Sequence, residues 1–261
     1  MKALCVGYCY DGMDDRLSAT YIDLWTACEY LHQKGFYCYI IDDCVDLLYV
    51  NKIYVERSLP ITFLNFYLVK KCDWFERTSY QSKQLKRGLA DADSLFFYYT
   101  GHLKYDGSFK FANNNYPMRS VFSYLSEILS IDCQVFAVID GCYSGNHPFS
   151  HVLVRDKLQL TNYSFPMRQE CIYLHASAFD EKAASSSFQS YFTKYFFREL
   201  METTASISVL IEKIQGRLNY RCGGKAQSLG VATSLALPLI LWPWVFGLNF
   251  HFNQEYVMFI R

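Results

Sequence analysis

The stretch QVFAVID, residues 134–140, is apolar at nearly every position and breaks off into GCYSGN. A strand with one solvated face alternates apolar and polar residues; an unbroken apolar run is buried on both faces. Similar runs recur in KALCVGYC (2–9), FYCYII (36–41), the start of DADSLFFYYTGH and CIYLHAS (171–177), with a last one inside 227–236. The segments between them have helical spacing. Tyr21, Leu24, Trp25, Cys28 and Leu31 make one face that stops at Gly35. A second helix is expected over 79–90. Pro117 suits a first helical position, and Met118, Val121, Phe122, Leu125, Ile128 and Leu129 follow it on one face. Two more helices are expected over 188–202 and 206–220. Strands alternating with helices predict an α/β fold: a mostly parallel six-stranded sheet with helices on both faces. FKF (109–111) reads as half of a small hairpin. Residues 44–78 give no assignment, because Pro60 interrupts them and ITFLNFYLV fits helix or strand equally.

Charge and cysteine content narrow the function classes. Lys plus Arg and Asp plus Glu are 25 each, so no basic footprint for nucleic acid exists. The 10 cysteines include no CxxC pair, and several lie inside apolar runs as small buried hydrophobes. No metal or other cofactor is expected. The start, MKALCVGYCYDGMDD, has too short an apolar stretch for a signal peptide, which with reduced cysteines points to a cytoplasmic protein. Residues 229–248 hold no charge and reach membrane-spanning length. Pro238, Pro243 and two glycines interrupt that run, so a buried terminal strand is expected there in place of a span or membrane contact. No linker composition divides the chain, and a single domain over 1–261 is expected, its final strand near 227–236 and an apolar tail over 237–261.

In open parallel sheets, function collects beyond the carboxyl ends of the strands. Two runs end there in YYTGH and VIDGC, which sets His102 and Cys142 side by side. Alone, each is an ordinary loop or core residue. Together, each after a buried strand and beside glycine, they form a candidate nucleophile and acid/base pair. The backbone amides around Cys142 would receive a developing oxyanion. Asp140 faces the same way as Cys142 if the strand stays extended, yet a carboxylate disfavours a thiolate. The acid must serve something else, such as a cationic ligand.

SLFFYYTGH followed by VFAVIDGCYSG resembles the paired signature of caspase-like peptidases, in their metacaspase and paracaspase branches. The resemblance covers most of the chain. The segment LSATYIDLWTACEYLHQKGF is similar to the family's first helix, and HASAFDEKAASSSFQSYFTKYFFREL to the segment after the catalytic loop. GKAQSLGVATSLALPL looks like the final strand. The resemblance implies a cysteine endopeptidase with His102 and Cys142 as its dyad. It further implies a pocket for Arg or Lys, with Asp140 and, from TYIDL, Asp23 as its acids and Thr100 beside them where serine is common. Protein or peptide substrates with a basic residue before the scissile bond would be the partners. A third pocket acid has no secure match, although Asp180 and Glu181 lie in the right segment. Paracaspases pair through the last strand and many metacaspases are monomers, which leaves a homodimer through that strand open.

Two departures matter. Leu103 stands where the family has a glycine whose amide, with that of Cys142, lines the oxyanion hole; leucine lacks glycine's access to positive φ, so a distorted hole is expected. The run of acids that gives many metacaspases a calcium site is absent near KYDGSFKF. The alternative is a weak or inactive caspase-like module that binds partners or regulates cell death.

Overall fold

The computed structural model describes residues 1–10, 13–42, 67–70, 80–111, 114–154, 157–162, 165, 167–202, 207–221 and 227–234. Its frame is a nine-stranded sheet. Six strands are parallel neighbours, in the order β3 (Tyr67–Lys70), β2 (Tyr37–Asp42), β1 (Lys2–Gly7), β4 (Ser94–Thr100), β7 (Gln134–Asp140) and β10 (Cys171–His175). Beyond β10 the sheet continues antiparallel through β11 (Gly230–Thr233), β8 (His151–Val154) and β9 (Lys157–Leu160). A separate hairpin pairs β5 (Phe109–Phe111) with β6 (Asn114–Tyr116).

Alternation along the central strands divides the core into two layers. Ala3, Cys5, Phe96, Tyr98, Phe136 and Val138 face α1 (Ala19–Gln33), α4 (Tyr191–Glu202) and α5 (Ile207–Arg221). Leu4, Val6, Leu95, Phe97, Val135 and Ala137 face α2 (Tyr80–Leu89) and α3 (Met118–Ile128). Both layers are dry and rich in aromatics, which is why these strands show no polar alternation. Trp25, 1 % exposed on α1, anchors the first layer.

The sheet therefore has three strands more than the sequence reading counts. β3 falls in the unassigned ITFLNFYLV stretch, and the β8–β9 hairpin lies in 151–160, where the sequence reading places no element. Pro117 sits one position outside the helix, as the cap of α3, with φ −52° and ψ 136°. β11 has neighbours on both edges, so a homodimer through this last strand would first have to displace β8. Most of the unassigned region 44–78 and the apolar residues 235–261 lie outside the described residues. Among the described residues no helix is long and apolar enough to cross a membrane.

Candidate active site

β4 and β7 run in register to their last residues, Thr100 opposite Asp140, and the Gly101 N–H donates to the Asp140 carbonyl at 3.2 Å. Two residues further, the adjacent chains reach His102 and Cys142. Their loops stay together: the Tyr105 and Tyr143 rings lie 5.4 Å apart, and Asn146 Nδ2 donates to the Tyr105 carbonyl at 2.9 Å. Gly141 has no room for a side chain. A Cβ there would lie 2.2 Å from Leu103 Cδ1 and 2.7 Å from the Gly101 carbonyl oxygen.

His102 is held at its backbone and at its ring. Its N–H donates to the Tyr10 hydroxyl at 3.0 Å, and its carbonyl accepts the Tyr99 hydroxyl at 2.8 Å and the Lys110 N–H at 3.0 Å. The Tyr10 ring packs beside the imidazole, with centroids 4.7 Å apart. Ring Nε2 lies 2.7 Å from the Asp15 carbonyl oxygen. A carbonyl only accepts, so Nε2 carries a proton, and in the neutral form of the ring the lone pair lies on Nδ1.

Among the described cysteines, Cys142 is half-buried and the others are buried. Burial chiefly, with the nearby Asp140 adding to it, pushes the Cys142 thiol above the usual range; the Ala183 N–H and the Lys182 charge offset part of this. At neutral pH the Cys142 side chain is therefore a thiol. Among the described residues, two other than glycine have left-handed φ, Tyr10 at 57° and Tyr143 at 58°. One packs on His102 and the other follows Cys142. Strain of this kind persists only where surrounding contacts impose it, and it concentrates at working sites. Here the Tyr143 N–H donates to the Glu181 carbonyl at 2.8 Å and its carbonyl accepts the Asn146 N–H at 3.1 Å.

Asp23 and Asp140 come together on the α1 and α4 side of the sheet rim, only 1 % and 4 % exposed. The Ser190 N–H donates to the Asp23 carboxylate at 3.0 and 3.3 Å, and the Thr100 hydroxyl also reaches it. Thr193 donates its hydroxyl to Asp140 and in turn accepts that of Tyr98. Burial raises both carboxyls above the usual carboxylate range, and the charge of Asp140 raises Asp23 further. Ser190, just ahead of α4, Thr193 on it and Tyr98 on β4 carry no sequence signal; they are ordinary residues until the fold sets them around two acids. Glu181 accepts the Ser228 N–H and hydroxyl and the Ala178 N–H.

Leu103 is not distorted. It forms an isolated antiparallel pair with Phe109, closed by the Lys110 N–H to the His102 carbonyl and the Lys104 N–H to the Ser108 carbonyl. In that pattern the N–H of the central residue points away from its partner strand, and φ is not positive. The leucine side chain is buried in the second core layer. Leucine's lack of access to positive φ therefore strains nothing in this backbone. On the same sheet face lies a cavity of about 440 Å³, lined by Asp106, Ser108, Arg119, Asn146, His147 and Asn162 among others. Among the described residues no group of His, Cys, Asp and Glu is arranged to hold a metal.

No protein-family model matches the chain, and no curated relative matches it by sequence. Solved structures do. Protein GSU0716 from Geobacter sulfurreducens superposes with a TM-score of 0.56 at 12 % identity, covering 89 % of this chain and 92 % of its own. Caspase-1 from Spodoptera frugiperda superposes with a TM-score of 0.50 at 11 % identity, covering 89 % of this chain and 86 % of its own. At such identities the likeness is one of fold: the chain has a caspase-like α/β fold, its sheet mixed and extended by a hairpin.

Proposed function

We propose that this chain is a cysteine endopeptidase, a single domain of the metacaspase and paracaspase kind, that cleaves after Arg or Lys in the cytoplasm. The observation that supports it most is the arrangement at the rim of β4 and β7. A half-buried thiol and an oriented imidazole follow neighbouring strands, and a pair of buried acids lies on one side of them. In this reading a guanidinium or ammonium enters between Asp23 and Asp140, beside Thr100, and restores the charge that burial withholds from them. Cys142 attacks the carbonyl as Nδ1 of His102 takes the thiol proton. The imidazolium then returns that proton to the leaving amine. The amides of Cys142 and Leu103 receive the oxyanion. The chain beyond the scissile bond crosses to the opposite sheet face, where the cavity beside Asn146 lies.

The near-complete burial of both acids favours a second reading: a closed, non-catalytic module that acts by binding. One experiment separates the two. Peptides ending in Arg, Lys, Asp or Asn are offered to wild type and to Cys142→Ala. Hydrolysis after Arg and Lys that vanishes in the variant supports the enzyme. Equal turnover by both proteins, or none by either, supports the module.

A further inference from the structure

We infer that Lys110 is a positioning residue for His102 and acts through Asp15; its catalytic consequence rests on the peptidase reading, while the positioning itself does not. The orienting carbonyl belongs to an exposed residue in the turn ahead of α1, with the Asp15 side chain 46 % exposed. A loop carbonyl with nothing behind it is a poor guide for a ring. Lys110 supplies what stands behind it. Its ammonium, 13 % exposed, pairs with the Asp15 carboxylate and lies 4.8 Å from the Tyr10 ring centroid.

The Lys110 backbone is fixed in turn. Its N–H donates to the His102 carbonyl and its carbonyl accepts the Tyr10 hydroxyl at 2.8 Å, on a strand paired with β6. The contacts form a closed circuit: His102 ring to Asp15 carbonyl, Asp15 carboxylate to Lys110 ammonium, Lys110 N–H back to His102. The same ammonium settles a competition. Asp15 Oδ2 lies 3.8 Å from Nε2, against 2.7 Å for the Asp15 carbonyl. Drawn to Lys110, the carboxylate leaves the ring to the carbonyl. A merely structural ion pair at this exposure would contribute little and would leave the ring unaffected.

The test uses the full chain labelled with ¹⁵N-histidine. Ring-nitrogen signals of His102, assigned with His102→Ala, should report a protonated Nε2 and a bare Nδ1 in wild type. Lys110→Met should give a mixture of tautomers, and Lys110→Arg, which keeps a cation in reach of Asp15, should restore most of the wild-type pattern. Asp15→Asn, at the exposed end of the pair, repeats the test without touching β5. On an Arg peptide, Lys110→Met should lower kcat about tenfold and leave KM within about twofold. Unchanged ring signals in both Lys110→Met and Asp15→Asn overturn the inference, as does a loss confined to KM. Altered ring signals with no hydrolysis by any form, wild type included, uphold the positioning and sink the peptidase reading.

Discussion

Leu103 and Gly141 interlock as a pair. The leucine fills space that any Cβ on Gly141 would occupy, so each residue depends on the other being what it is. Leu103→Gly should therefore lower activity and cost about 2–5 kcal/mol of stability, as removal of a buried leucine does. Turnover above wild type, read beside a denaturant melt, would support a distorted hole. Gly141→Ala should all but abolish turnover while the fold persists, because the added methyl pushes the two loops apart at their tips; near wild-type kinetics would show that the loops are not held together. The thiol offers a simpler check. With Cys142 half-buried and the other described cysteines buried, an alkylating agent should modify Cys142 ahead of them in the native protein. Its raised titration makes that reaction slow at pH 7 and faster as pH rises, since the thiolate is the nucleophile. Peptide mapping by mass spectrometry that found Cys133 or Cys171 labelled first would contradict the burial pattern.

The β8–β9 hairpin shows how an element can escape a sequence reading. β1, β4, β7 and β10 are legible because both their faces are dry, so each is an apolar run between turns. HVLVRDKLQL has strands of four residues with charges at its centre, too short for a period to register. Its pairing with β11 is a tertiary fact. The candidate site divides in the same way. His102, Cys142 and Asp140 are legible because they stand at the ends of legible strands; Asp23 and Thr100 enter only through the resemblance to caspase-like peptidases. Asp15, Tyr10, Lys110, Ser190 and Thr193 act through backbone groups or across the fold, which leaves no local pattern to read. The hairpin also covers an edge that would otherwise invite pairing. Its base is already closed, with the Thr161 N–H donating to the Ser150 carbonyl at 2.7 Å, so residues 151–160 can be excised and the ends joined with little strain. The excised protein should associate through the bared edge of β11, and sedimentation velocity should show a concentration-dependent rise in mass that wild type lacks. Identical sedimentation of the two proteins would mean that the hairpin does not guard this edge.

Two sets of titrating side chains on opposite sheet faces give the whole molecule opposing responses to pH. His147 and His175, with rings 5.9 Å apart, are pushed down to about 3 and about 4, chiefly by burial. The unfolded chain binds protons that these rings refuse, so they lose stability as pH falls from about 6.5 toward 4. Asp23 and Asp140 behave the other way. Their carboxyls are raised above the ordinary 3.8, so above that pH the native state retains protons the unfolded chain has released. Stability contributed by these acids is full at low pH and falls as pH rises through the raised range. Replacing either acid by Asn should therefore raise Tm at pH 8 relative to wild type, while a basic substrate loses at least tenfold in kcat/KM, because its charge would be buried without a full partner. A cationic ligand reverses the penalty. On the proposed reading, binding of argininamide between the acids favours their ionised forms and releases protons, so by linkage its affinity must grow as pH rises. The stabilisation of Cys142→Ala by argininamide, measured as a Tm shift at fixed ligand concentration, should be small at pH 5, larger at pH 8, and absent at both in Asp23→Asn. A Tm shift that is independent of pH, or that survives the loss of Asp23, would place the guanidinium elsewhere and leave the two acids as a purely internal, proton-sharing pair.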